Sequence, residues 1–600
     1  MASMRKNRHR RRREKERRRE EEKRKLIRGL DGGGGEGGSR PPWVGLGAAV
    51  WVQVAAGSAY AFPLYSHALK AVLGLRQQQV AMLGVANDMG ENLGLVPGCS
   101  ATAWPRPRPR RRRRRLLPRL RPPLARRLPH PPRIALLAAV DRVIRRNEQQ
   151  RVAHDSSSGD QHEELPCQQR HRRGILKGYA GLSAAVFTPI YSGLLDSSPT
   201  KLLLFLALGL PAVCLAMMYF IRPCTPASDD DSSQHGHFLF TQICSVFLGI
   251  YLLTTTVLSS FLSLCDAANY ILISIMVLFL LAPLAIPVKM TLFPKNRKKV
   301  TVAAPSSSSE NLSDQDKSAP LLAASPSGAA LEDLPEADDA NDVRILLAEG
   351  EGAVKRKRRP RRGEDFKFKE AVVKADFWLL FVTYFFGVGS GVTVLNNLAQ
   401  IGTAAGVDNT TVLLCIFSFC NFLGRLGGGA VSEHFVSARM LPRTIWMAVT
   451  QIIMIISYLL LASPFTAALY ATTASLGLCY GVQFSAMIPT ASELFGLKNF
   501  GMIYNFMLLG NPLGAFLFSG LLAGYIYDKE AAKQHHDTLL FESSSLTCLG
   551  PECFRLTFLV LAGVCCLGTL LSIVLTVRIR PVYAMLYSGG SFRVPRSSGY

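Results

Sequence analysis

Runs of about 20 apolar residues with few charges constrain this chain most, because that is the length a helix needs to cross roughly 30 Å of hydrocarbon. Twelve such runs fall near residues 43–62, 78–98, 174–194, 201–221, 238–262, 268–292, 376–397, 409–430, 443–463, 465–488, 500–525 and 555–577. A soluble protein of 600 residues would scatter its apolar residues among amphipathic elements, and this one segregates them. Within a bilayer a helix satisfies its own backbone, so the expected fold is all-α and polytopic.

The net charge of +26 is equally segregated. Residues 1–29 carry 15 Lys/Arg against 5 Glu (+10), and residues 99–173 carry 20 Lys/Arg against 6 Asp/Glu (+14). These are tails and loops, not one basic surface. "MRKNRHRRRREKERRREEEKRKLIRGL" has no apolar h-region, so it reads as a cytosolic flank and not as a cleaved signal. Alternation from there puts 222–237, 293–375, 431–442, 489–499 and 578–600 inside, and each holds Lys or Arg, as the positive-inside rule requires. The expected organisation is a basic cytosolic tail (1–40), an N-terminal membrane half (41–222), two further helices (238–292), a disordered cytosolic linker (293–375), a C-terminal membrane half (376–578) and a cytosolic tail (579–600). The linker is Ser/Ala/Pro-rich, then acidic, then basic. Its "DVRILL" (Asp342–Leu347) fits an acidic dileucine sorting signal or an incidental leucine pair. Plasma membrane and endomembrane, including the vacuole, both remain open.

Ionisable and amide groups inside apolar runs are the candidate working residues, since they are costly in hydrocarbon and usually face a cavity. Asp88 and Glu91, three residues apart in "GVANDMGENLGL", share a helical face and read as a proton-coupling pair or as a structural contact. Lys177 begins a span, where snorkelling to the interface competes with a transport role. Asn396, Asn397, Gln400 and Gln483 could bind a solute or join helices. Most of the 13 cysteines lie in apolar runs. Cys548 and Cys553 sit in a polar loop and could form a disulfide if that loop is non-cytosolic. Asn409 opens an "NTT" glycosylation acceptor at a boundary placed outside. No metal-ligand spacing, cofactor motif, Walker motif, GxSxG elbow or HExxH occurs, so neither an enzyme nor an ATP-driven pump is expected. The expected partners are the lipid bilayer and a small solute of unknown identity, with no nucleic acid. Oligomeric state is open.

Two membrane halves joined by a long cytosolic loop suggest a transporter. "WVQVAAGSAYAFPLYSHALK", "ILKGYAGLSAAVFTPIY", "ADFWLLFVTYFFGVGSGVTVLNNLAQIG", "NFLGRLGGG" and "PTASELFGLKNFGMIYNFMLLGNPLGAFLFSGLLAGYIYD" resemble the plant nodulin-like proteins, a branch of the major facilitator superfamily that includes the nuclear-fusion-defective type. The resemblance spans residues 40–98 and 174–590. It implies a two-half helical bundle working by alternating access, and it names no substrate. It also implies a role for "GRLGGGAVSEH": Gly424, Arg425, Gly428 and Glu433 would form a cytosolic gating motif with Arg425 and Glu433 as a charge latch. Asp88 matches an acidic position of the family pattern; Glu91 departs from it.

The same pattern has two more spans where this chain has "PRPRPRRRRRRLLPRLRPPLARRLPHPPR" (Pro105–Arg133). One codon choice for Gly159–Arg173, read one nucleotide later, gives VTNMRNFPASRGTVA, which resembles the family's loop before "GILKGYAG". The tract therefore reads as out-of-frame sequence replacing about two N-terminal-half spans, with 99–173 unstructured as protein. That replacement puts transport by this chain in question. The alternative function is a non-transporting membrane scaffold or sensor.

Overall fold

The structure, a computed structural model, describes residues 44–92, 166–220, 231–262, 265–292, 363, 365–407, 409–463, 468–496, 499–534 and 547–587. Among these residues the regular structure is helical and no strand occurs. In chain order the helices are α1 (Val44–Ala61), α2 (Pro63–Leu73), α3 (Gln77–Asn92), α4 (Pro166–Pro189), α5 (Pro199–Met217), α6 (Gly236–Phe261), α7 (Asp266–Lys289), α8 (Ala375–Asn396), α9 (Leu398–Ala404), α10 (Thr410–Arg439), α11 (Thr444–Ala462), α12 (Leu469–Phe495), α13 (Phe500–Gln534) and α14 (Glu552–Tyr587). Nine of the described helices (α1, α5–α8, α10, α11, α13 and α14) are long and apolar enough to cross a membrane. The remaining expected spans correspond to α3, α4 and α12, whose polar residues thin their apolar character.

Two boundaries are corrected. The loop expected to be unstructured over 99–173 ends earlier, because α4 starts at Pro166. Proline suits a first helical turn, where its missing N–H has no intrahelical partner to lose. The linker expected to run to 375 also ends earlier. Gly363 N–H bonds Leu494 O (3.2 Å) and Phe366 N–H bonds Phe495 O (3.0 Å), followed by a turn of helix over Phe368–Val372. Phe366 is buried against Phe495, ring centroids 5.8 Å apart. Two aromatics within "EDFKFK" anchor this stretch to the bundle, and composition averaged over the linker conceals them. The arginine tract, "DVRILL", the N-terminal tail, residues 588–600 and the Glu91 side chain lie outside the described residues, whereas the first part of the expected C-terminal tail, 579–587, continues α14.

Prolines shape several spans, because each removes a backbone donor and crowds the preceding turn. At Pro283 the helix tightens into a single turn of narrower pitch over Ala282–Leu284. Pro512 precedes a widened stretch, Ala515–Ala523. Large apolar side chains such as Leu278, Leu570 and Val577 point outward, as lipid-facing positions do.

Packing is closest between α10 and α12, and between α11 and α14. The N-terminal half meets the C-terminal half along α4 and α10 and along α3 and α13. α10 and α12 touch backbone to backbone. A Cβ added at Gly424 would lie 2.1 Å from Leu478 O, and one at Gly481 would lie 2.3 Å from Asn421 O. Small residues permit such contact inside membranes. Gly481→Val is therefore expected to lower the stability of the purified protein by at least the ~1–3 kcal/mol typical of overpacking. A thermal midpoint in detergent equal to wild type would show that the helices can separate at no cost.

Candidate functional site

Where the halves meet, α1, α3, α8, α10, α12 and α13 turn polar side chains toward one another. The first pair joins α3 to α8. Asp88 is only 4 % exposed, and Asn396 Nδ2 donates to its Oδ2 at 2.7 Å. Gly84, one turn earlier on α3, leaves room for that approach, since a Cβ there would be 3.3 Å from the Asn396 amide nitrogen. Asn87 Nδ2 donates to Ala59 O at 3.1 Å, tying α3 to the end of α1.

Arg425 supplies the positive counterpart from α10, 5 % exposed. Its Nη2 donates to the Tyr60 hydroxyl (2.8 Å) and its Nη1 to Lys177 O (3.2 Å), both in the N-terminal half. Its Nε donates to Asn421 Oδ1 (3.0 Å) one turn back on α10. The guanidinium lies 4.5 Å from the Phe484 ring centroid and 5.5 Å from that of Tyr60. Such placement over aromatic faces stabilises a buried cation. Tyr480 stands edge-on to Tyr60, centroids 6.3 Å apart, and bonds Asn511 Oδ1 at 3.3 Å. The cluster therefore holds a carboxylate and a guanidinium on opposite halves, in a low-dielectric interior where charge effects are strong.

A second set of contacts closes the halves at the end where α3 begins. The Asp528 carboxylate accepts the backbone N–H groups of Gln77 (2.8 Å) and Gln78 (3.0 Å). These are first-turn donors that no residue within α3 can satisfy, so a C-terminal-half carboxylate caps an N-terminal-half helix. Gln77 Nε2 reaches Asn397 Oδ1 at 3.0 Å, and Asn397 Nδ2 reaches Ser519 at 2.9 Å. Gln400 bonds Ser66 at 3.3 Å. Lys70 is buried over the Tyr527 ring at 4.4 Å. Burial lowers its pKa to about 8 against the opposing pull of Asp528, so the ammonium loses its charge as pH rises through that value. Cys548 and Cys553 are disulfide-bonded with Cα atoms 5.9 Å apart, and the Cys548 N–H donates to the Tyr527 hydroxyl at 3.0 Å.

The opposite end of the C-terminal half carries a buried ion network. Arg443 donates to Glu493 through Nε (3.1 Å) and Nη2 (3.0 Å), to Ser432 through Nη1 (3.0 Å), and to Glu433. The hydroxyls of Tyr583 and Tyr587 donate to the Glu493 carboxylate as well, the latter at 2.8 Å. Arg578 on α14 pairs with Asp376 at the start of α8.

Of the residues singled out from sequence, the structure joins Asp88 to Asn396 and Arg425 to the backbone of Lys177. It does not join Arg425 to Glu433. Eight residues of helix set them about 12 Å apart, with Arg425 directed into the bundle and Glu433 turned to Arg443. Gly424 and Gly428 face α12 and provide close packing. The Lys177 ammonium sits 5.7 Å from the Tyr504 ring. Gln483 lies within the C-terminal half, its Nε2 donating to Met447 O (3.1 Å) and Thr450 (2.9 Å), which is a helix-joining role. Asn409 is exposed immediately before α10. Among the described residues no group of three or more His, Cys, Asp or Glu is placed to hold a metal ion. Sequence reading passed over Tyr60, Asp528, Arg443 and Glu493. The last two were visible as charges at the ends of apolar runs, in "MLPRTIW" and "TASELFG".

Residues 363–585 match the family model for the C-terminal domain of NFD4, and residues 42–108 and 163–288 match the Nodulin-like family model, with 109–162 falling between the matched stretches. Protein NUCLEAR FUSION DEFECTIVE 4 from Arabidopsis thaliana is 27% identical over 561 residues, covering 91% of this chain and 90% of the relative. Among solved structures, a bacterial homologue of the human lysosomal transporter Spinster, inward-facing and unoccupied, aligns over 93% of this chain and 100% of its own at 11% identity and a TM-score of 0.42. The occupied inward-facing form aligns over 94% and 100% at 13% identity and a TM-score of 0.35.

Proposed function

The chain belongs to the nodulin-like membrane proteins, with a Nodulin-like N-terminal part and an NFD4-type C-terminal domain, and from that membership we propose that it is a secondary-active, proton-coupled carrier of a small organic solute. It is a multi-pass helical membrane protein, and the reading sets both termini in the cytosol and the Cys548–Cys553 loop on the opposite side. The observation that carries the proposal is the buried cluster shared by the two halves, with Asp88 and Tyr60 on one and Asn396 and Arg425 on the other. A site built from both halves changes whenever they move relative to one another, which is what alternating access needs.

Asp88 is the proposed coupling group. Burial penalises its charge and the Asn396 N–H stabilises it, so occupancy of the proton depends on how wet and how tightly paired the site is in each state. A proton taken up on one side neutralises the buried carboxylate. If the neutral form favours the occluded state, the proton moves with the solute.

The test is solute-driven proton movement. The full-length chain in proteoliposomes holding a pH-sensitive dye is expected to pass protons when small organic solutes are added, beyond protein-free vesicles. No proton movement with any solute, from protein that is monodisperse and bound by such solutes, would favour the scaffold or sensor reading.

A further inference from the structure

We infer that a small polar pocket between α4, α6 and α7 is a lipid site that takes the hydroxyl of a sterol, a rigid apolar body with one uncharged polar group. The pocket stands apart from the cluster where the halves meet, and the inference does not rest on the carrier reading.

The pocket has a volume of about 20 Å³, enough for one water or one hydroxyl group. Its polar wall is Ser192, Thr255, Thr256, Ser259 and Asn269, and none of the described residues lining it is charged. The end of α4 makes room for it. Beyond Pro189 the chain widens into the turn Ile190–Leu194, a geometry that recurs at functional sites. Gly193 in that turn keeps the space open, since a Cβ there would lie 3.1 Å from Ile273 Cδ1 and 3.3 Å from Asn269 Cβ.

Thr256 is the residue that calls for a ligand. It is 5 % exposed, and its hydroxyl finds no hydrogen-bond partner among the described residues, which is costly for a buried polar group. Its neighbours Thr254 and Thr255 donate one turn back on α6, to Ile250 O at 3.0 Å and Tyr251 O at 2.8 Å. Thr256 makes no such bond. The adjacent Cys415 thiol gives its hydrogen to Leu252 O (3.7 Å) and offers only a weak acceptor. Around Thr256 the other hydroxyls face the pocket as acceptors, because their hydrogens are engaged: Thr255 as above, Ser259 with Thr256 O (2.9 Å) and Ser192 with Thr188 O (3.2 Å). The Asn269 amide adds donors and an acceptor. One ligand hydroxyl placed here accepts from Thr256 and donates to a neighbouring oxygen.

The surroundings select the rest of the molecule. A charged headgroup would lose its water with no counter-charge in the wall, and a polyol would not fit. Ser259 and Asn269 lie within one turn of the end of α6 and the start of α7, the depth at which an amphipathic lipid keeps its polar end. Leu262, next on the row that carries Thr255 and Ser259, is 52 % exposed, and Leu194 beside Gly193 is 47 % exposed, so an apolar body has surface to lie on. A rigid body loses less freedom on binding than two acyl chains do, and a sterol brings no ester carbonyls that need donors.

The test is binding of radiolabelled cholesterol to the full-length chain in detergent, read by scintillation proximity against empty micelles. Two unlabelled competitors separate the features: cholestene, the same ring system without the hydroxyl, and dioleoylglycerol, a hydroxyl on a flexible diester body. Both are expected to compete at least roughly tenfold more weakly than cholesterol, a difference of about 1.4 kcal/mol. Thr256→Val keeps the shape and removes the hydroxyl, and should weaken cholesterol binding about tenfold. Gly193→Val fills the pocket and should abolish binding. Thr254→Val removes a hydroxyl of the same helix outside the pocket and should bind as wild type, a contrast that general loosening of α6 would not produce. No binding above empty micelles, cholestene competing as well as cholesterol, or wild-type binding in either Thr256→Val or Gly193→Val would overturn the site. Dioleoylglycerol competing as well as cholesterol would overturn the sterol as its occupant. If Gly193→Val does not fold, Thr256→Val decides, and unchanged cholesterol binding there overturns the site.

Discussion

Asp88→Asn is expected to abolish pH-driven accumulation while leaving the protein folded and able to exchange solute between equal pools. The substitution keeps shape and removes the titrating group. Asn396 Nδ2 now bonds Asp88 Oδ2 at 2.7 Å, and an amide oxygen at residue 88 can accept the same hydrogen. A charged acceptor makes the stronger bond, but its burial also costs desolvation, so the two changes oppose each other and the net effect on stability should be within about 1 kcal/mol. The effect on coupling has no such offset, because the amide cannot load a proton at any physiological pH. Uptake under an imposed pH gradient, measured beside counterflow without one, separates the two functions. Accumulation with unchanged pH dependence would make Asp88 a structural residue.

Glu493→Ala should be the most destabilising single change in the described membrane domain. Arg443 and Glu493 side chains are each 1% exposed and joined by several hydrogen bonds. Removing the carboxylate strands a buried guanidinium and leaves the hydroxyls of Tyr583 and Tyr587 without their acceptor. Breaking one side of such a pair typically costs about 3–5 kcal/mol. Glu433 bonds the same guanidinium, yet it is 43% exposed, so Glu433→Ala should cost no more than about 1 kcal/mol. Chemical unfolding in detergent would rank the two. Replacing both Arg443 and Glu493 by Met should recover part of the loss, since no charge then remains buried. Equal effects at Glu433 and Glu493 would mean that the network is wetter than its geometry implies.

These residues show what can and cannot be read from sequence. The spans were legible because an apolar run of membrane length is a local property that needs no knowledge of neighbours. α4 and the Phe366 anchor were misjudged at their edges, where a single proline or two aromatics outweigh average composition. Asp88 and Asn396 stood out as polar groups in apolar runs. Their pairing across 308 residues is a tertiary fact that no spacing reveals. Arg425 was the instructive case. Its motif suggested the cytosolic surface, but Gly424 locks α10 against α12, and that register turns residue 425 toward Tyr60 and Phe484. Asp528 was invisible for a different reason, because what it caps is a helix start contributed by the other half.

The central claim is that the two halves must part at the α3–α13 end for the solute to cross. Gly524 lies against Gln78 so closely that a Cβ on the glycine would be 2.6 Å from Gln78 Cα and 3.1 Å from its Cβ, so a cysteine there must push the helices apart by a few tenths of an ångström, which brings the two Cβ atoms to about the ~3.5–4.5 Å separation of disulfide-linked residues. A Gln78→Cys, Gly524→Cys pair should therefore cross-link under mild oxidant and hold that end shut. Solute-driven proton movement in proteoliposomes is expected to stop on oxidation and to return on reduction, with each single cysteine variant unaffected. Movement that continues at its original rate with the cross-link fully formed would contradict alternating access by these two halves.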